Sequence, residues 1–117
     1  MTGSSQGAQS IDAQRLSEWM AEQPDLQVID VREGYEREAG HIAGSRHVEL
    51  AALTGQAATV ERERPVVFYC RVGGRSAMAA EAFAGAGYDS YTLEGGLLDW
   101  AARGLPLEPD GGTVADH

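Results

Sequence analysis

The chain has 117 residues, 43% of them apolar, enough for one folded core and too many for a disordered chain. Eighteen acidic residues against nine basic ones, all arginine, leave a formal charge of −9, which argues against nucleic acid or an anionic membrane as partner. A single cysteine excludes an internal disulfide and fits a reducing, cytoplasmic setting, and no apolar run approaches the length of a membrane span.

Residues 1–9 are rich in Gly, Ser and Gln and lack the basic and apolar regions of a secretion signal, so they read as a flexible lead to a domain over 10–108. Asp12 is placed to cap a helix from Ala13 to Glu22, with Leu16, Trp19 and Met20 on one face. Leu26 to Val31 is a branched, strand-forming run. Arg32 to Gly40 predicts a loop with a helical turn, and Arg46 to Val48 a second short strand. Glu49 to Val60 predicts partial helix, weakened by Gly55. Pro65 opens Val66-Val67-Phe68-Tyr69-Cys70, a strand buried on both faces. Ser76 to Ala86 predicts a helix and Tyr88 to Leu93 another strand. Gly95-Gly96 starts a last helix, stopped by Gly104 and Pro106. Residues 109–117 read as a loose polar tail. Strands alternating with helices predict an α/β fold with a parallel sheet covered on both faces. In such sheets ligands bind at the carboxyl ends of the strands, where Cys70 stands.

The stretch C-R-V-G-G-R-S, Cys70 to Ser76, has chemistry in its composition. A thiol is a weak nucleophile until it ionises. A following helix offers amides with no intrahelical acceptor and a partial positive charge. Arg71 and Arg75 add full charges, and Gly73 and Gly74 let the backbone curl so that its N–H groups converge on an anion. Val72 shapes the entrance. Ser76 reads most simply as an N-cap, with contact to a bound anion as the alternative. The competing structural reading makes Cys70 a small apolar residue at a strand end. The glycine pair and the flanking arginines weigh against it.

Four motifs in this order resemble the single-domain rhodanese (thiosulfate sulfurtransferase) family. V-I-D-V-R-E (Val28 to Glu33) is similar to its D-V-R strand end. G-H-I-A-G-S (Gly40 to Ser45) is similar to its G-H-I-x-G-A segment, with Ser45 where alanine is usual. C-R-V-G-G-R-S resembles its active-site loop, and L-E-G-G-L-L-D-W-A-A-R-G-L-P (Leu93 to Pro106) its closing helix. The resemblance implies a rhodanese-like fold, a five-stranded, mostly parallel sheet with helices on both faces. It implies that Cys70 takes a sulfane sulfur from thiosulfate or a similar donor, carries it as a persulfide held by the loop from Arg71 to Ser76, and passes it to cyanide or a thiol. No metal and no organic cofactor are implied. The spacing Cys70-x4-Arg75 matches the sulfurtransferases rather than the C-x5-R of rhodanese-fold phosphatases; an arsenate-reducing role stays open.

The remaining matched residues have structural readings. Asp30 and Arg32 support the site, most simply as an internal ion pair that holds the neighbouring loop. His41 reads as a hydrogen-bonded structural histidine before a proton shuttle. Cys70, His41, His47 and His117 lie on no recognised metal-ligand spacing. Trp19 and Trp100 are expected as core anchors. Two other functions compete with a small-molecule sulfurtransferase. One is a persulfide carrier that loads from a protein donor or unloads onto a protein acceptor, its acidic surface docking a basic partner. The other is a non-catalytic module of the same fold.

Overall fold

The computed structural model describes residues 7–117. Five strands, β1 (Gln9–Ile11), β2 (Gln27–Asp30), β3 (Arg46–His47), β4 (Val66–Tyr69) and β5 (Ser90–Leu93), form one sheet in the order β1-β5-β4-β2-β3. Every pairing is parallel. The helices are α1 (Ala13–Glu22), α2 (Gly34–Ala39), α3 (Leu53–Gln56), α4 (Gly74–Gly85) and α5 (Gly96–Ala102), with single 3-10 turns on either side of α3. No helix among the described residues is long and apolar enough to cross a membrane.

The period of a strand splits the core in two. From β4, Val66 and Phe68 point to one face with Ile29, Val31, Ala80 and Phe83, and Cys70, the residue after the strand, continues that side. Val67 and Tyr69 point to the other, with Val28, Leu16, Leu97 and Trp100. All four residues of β4 are fully buried, as a central parallel strand requires. Trp100 is a core anchor, its indole N–H donating to the Pro106 carbonyl at 2.9 Å. Trp19 is only partly buried and meets Tyr91 edge-on at 5.1 Å.

Three boundaries differ from the sequence expectation. Of the expected lead, residues 1–6 lie outside the described residues, while Gln9 belongs to β1, which pairs Gln9, Ser10 and Ile11 with Tyr91, Thr92 and Leu93. Helix α4 begins at Gly74 rather than Ser76, because Gly73 takes the left-handed φ of 117° and serves as N-cap. The tail, expected to be loose, makes specific contacts with the domain. The Thr113 N–H donates to the Ala39 carbonyl at 2.7 Å, and Val114 packs on the cluster of Leu16, Leu97 and Trp100.

Candidate active site

Cys70 leaves the middle strand of the sheet and opens the turn into α4. The residue is 1% exposed, yet its sulfur is met by polar groups. The Gly73 N–H donates to Sγ at 3.1 Å and the Ser76 N–H at 3.4 Å, and Ser76 Oγ lies 3.5 Å away. Gly73 reaches this geometry through its positive φ, where a side chain would be strained. Gly74 and Arg75 are the first two residues of α4, whose amides have no acceptor within the helix.

Helix α5 sets the orientation of the loop. The Leu97 N–H donates to the Cys70 carbonyl at 2.8 Å and the Leu98 N–H to the Arg71 carbonyl at 3.0 Å. Both carbonyls are therefore turned toward α5, which keeps their negative ends off the sulfur. Gly96 makes this approach feasible: a Cβ there would sit 2.4 Å from the Arg71 carbonyl oxygen. The Gly95-Gly96 pair thus does more than turn the chain into a helix.

Ser76 is not the N-cap. It stands three residues into α4 from Gly73, with its hydroxyl donating to the Gly73 carbonyl at 3.2 Å and lying 2.7 Å from Thr92 Oγ1. Its side chain ties the loop to β5, and its amide faces the sulfur.

The two loop arginines are paired rather than free. Arg75 donates from Nη1 and Nη2 to the two carboxylate oxygens of Glu36 at 2.8 and 2.9 Å. Arg71 Nη2 lies 3.3 Å from Asp116 Oδ1. Much of the positive charge expected beside Cys70 is thus cancelled locally, and the backbone amides are the polarisation that acts on the sulfur directly. Burial pushes the Glu36 carboxyl up, but hydrogen bonds from Arg75 and the Glu33 backbone, with the charge of Arg75, outweigh it and leave the pKa below the ordinary 4.5. Val72 stands 55% exposed at the mouth of the loop, and Leu98 is exposed beside it.

Asp30 and Arg32 form a fully buried ion pair. Arg32 donates from Nε and Nη2 to the two Asp30 oxygens, each at 2.8 Å, and from Nη2 to the Gly40 carbonyl at 2.8 Å. The pair fixes the end of β2 to the segment that carries His41. Among the described residues His41 has no hydrogen-bond partner in the cysteine loop: its Nδ1 meets the Arg37 carbonyl at 3.1 Å, and its backbone bridges to Glu108. Ser45, the departure from the usual alanine, joins this support. Its hydroxyl lies 2.9 Å from the Tyr69 phenol and accepts from Arg37 Nη1 at 3.2 Å.

Sequence reasoning missed Glu36 and Asp116. Glu36 left one trace, its spacing of three from Glu33; the Glu33 N–H donates to its carboxylate at 3.1 Å, as in half of a capping box. Asp116 left none, because its contact spans 45 residues.

A sequence model described as the rhodanese-like domain matches residues 12–103. A sulfurtransferase of Allochromatium vinosum is 32% identical over 103 residues, covering 86% of this chain and 96% of that protein. The thiosulfate sulfurtransferase GlpE of Pseudomonas aeruginosa is 36% identical over 75 residues, 63% of this chain and 68% of that one. Among solved structures, a rhodanese-related protein from Thermoplasma volcanium superposes with a TM-score of 0.78 at 32% identity, covering 85% of this chain and 96% of its own.

Proposed function

The chain belongs to the rhodanese-like domain family, and from that premise we propose that it is a sulfurtransferase working through a persulfide on Cys70. The observation that carries this reading is the pair of amides, Gly73 and Ser76, aimed at Sγ. Amides fixed around a sulfur stabilise negative charge there without reorganising, both on the thiolate and on the terminal sulfur of an anionic persulfide. No general base is then required at the attacking step.

Thiosulfate or a similar sulfane donor supplies the sulfur. The Cys70 thiolate attacks the outer sulfur, the bond between the two donor sulfurs breaks, and its electron pair leaves on sulfite. The Cys70 persulfide carries the single negative charge that the thiolate brought. In the second half-reaction cyanide or a thiolate attacks the terminal sulfur and Cys70 leaves as thiolate. A compact loop with four residues between Cys70 and Arg75 suits a terminal sulfur better than the larger phosphate ester. A working thiol that is the chain's one cysteine suits a reducing, cytoplasmic compartment.

The test is the intact mass of the protein after incubation with thiosulfate. The expected result is a gain of one sulfur atom, removed by dithiothreitol and absent in Cys70→Ser. A wild-type protein that gains nothing from thiosulfate or other sulfane donors overturns the reading. A protein acceptor is a second reading, favoured by the exposure of Val72 and Leu98 at the loop. It predicts slow turnover with cyanide beside fast unloading onto a protein thiol.

A further inference from the structure

The segment after Pro109 runs from the C-terminal end of α2, at Ala39, to Arg71 of the cysteine loop. It is pinned at its base. The Thr113 N–H donates to the Ala39 carbonyl at 2.7 Å, and the chain runs so close to Gly40 that a Cβ there would lie 2.4 Å from the Thr113 carbonyl oxygen. Val114 packs on the core beyond. Two side chains then reach residues next to the site: Asp116 Oδ1 lies 3.3 Å from Arg71 Nη2, and His117 Nε2 lies 3.2 Å from Glu33 Oε2.

The two loop arginines differ in what holds them. Glu36, the partner of Arg75, is fully buried, so that guanidinium is committed to structure. Asp116, the partner of Arg71, is 97% exposed. Arg71 also has a buried Nε with no hydrogen-bond partner among the described residues. Arg71 is therefore the loop cation that an incoming anion can engage, and a carboxylate of the same chain already occupies it. An exposed pair of this kind is weak enough to exchange and strong enough to compete.

We propose that Asp116 is a specificity-determining residue for sulfur loading, an internal anion on Arg71 that weights the site against doubly charged small donors and toward donors bearing less negative charge. This rests on the sulfur-transfer reading above. A dianion such as thiosulfate must displace Asp116 from Arg71 and then sit near the displaced carboxylate. A monoanionic donor meets about half that repulsion. The chemistry at sulfur is the same for both. Thiosulfate releases sulfite, and methanethiosulfonate releases methanesulfinate, each leaving with the electron pair of the broken sulfur–sulfur bond.

The experiment measures the initial rate of persulfide formation on Cys70 against donor concentration, with thiosulfate and with methanethiosulfonate. Wild type is compared with Asp116→Asn and with Asp110→Asn, which removes an equal charge from an exposed position on the same segment. The half-saturating thiosulfate concentration is expected to fall about fivefold in Asp116→Asn and that of methanethiosulfonate about twofold, with Asp110→Asn moving neither. No shift in Asp116→Asn, a rise, equal shifts for the two donors, or a shift matched by Asp110→Asn would each overturn the role of Asp116 while leaving Cys70 loading intact. Failure of both donors to load the wild-type cysteine would instead defeat the sulfur-transfer reading, and this inference with it.

Discussion

Glu36 and Arg75 meet through two parallel hydrogen bonds, 2.8 and 2.9 Å long, between a fully buried carboxylate and the loop guanidinium. This bidentate clamp joins α2 to the start of α4 and so holds the turn that carries Gly73 and Ser76 against the sulfur.

Removing the Glu36 charge leaves Arg75 without its partner. Glu36→Gln is expected to cost about 3 kcal/mol of stability at neutral pH, as breaking a buried pair does. The sign of its pH dependence follows from the depressed carboxyl. The stabilisation is complete above the ordinary value of 4.5 and is lost as pH falls through the lower folded value. Urea unfolding of both proteins across the acid range checks this: the gap between them should close below about pH 4.5.

Gly96 and Gly55 make opposite predictions for the same substitution. Gly96 has a φ of 62°, and an added Cβ would lie within 2.7 Å of both the Arg71 and the Cys70 carbonyl oxygens. Gly96→Ala should lose more than about 2 kcal/mol and, by pushing those carbonyls, slow persulfide formation on Cys70. Gly55 lies in α3 with nothing within 4 Å of its would-be Cβ. Gly55→Ala should gain about 0.5–1 kcal/mol and leave loading unchanged. Thermal melts and the mass assay separate the two; similar melts for both would contradict this account of the loop.

Tyr69 gives an alkaline counterpart. Burial, with the nearby Asp30 charge, raises its phenol to about 12, against the hydrogen bonds it shares with Ser45 and Ile42. A raised folded value means full stabilisation below the ordinary 10.0 and progressive loss as pH climbs toward about 12. Tyr69→Phe gives up the bond from the Ile42 N–H at 3.1 Å and the contact with Ser45. It should lose about 1–2 kcal/mol at neutral pH and show a flatter stability profile above pH 10. Guanidinium unfolding at neutral and alkaline pH reads both effects.

What could be read in the residues follows from how local their signals are. Helix α1 lies where Asp12 and the spacing of Leu16, Trp19 and Met20 place it, since its cap and apolar face are written within ten residues. The uninterrupted apolar run of β4 announced a central strand. Strand β1 was hidden because Gln9 and Ser10 are exposed and only Ile11 is buried, so no alternation shows. The arginines of the loop were legible as cations, but their neutralisation was not. Glu36 and Asp116 are 39 and 45 residues from their partners, and pairing at that separation is decided by the folded chain.

Strand β4 lies third of five, hydrogen-bonded on both edges and packed on both faces. Its amides should be among the last to exchange with deuterium, opening only when the whole domain opens. The reactive sulfur is thus tethered to the part of the molecule expected to open last.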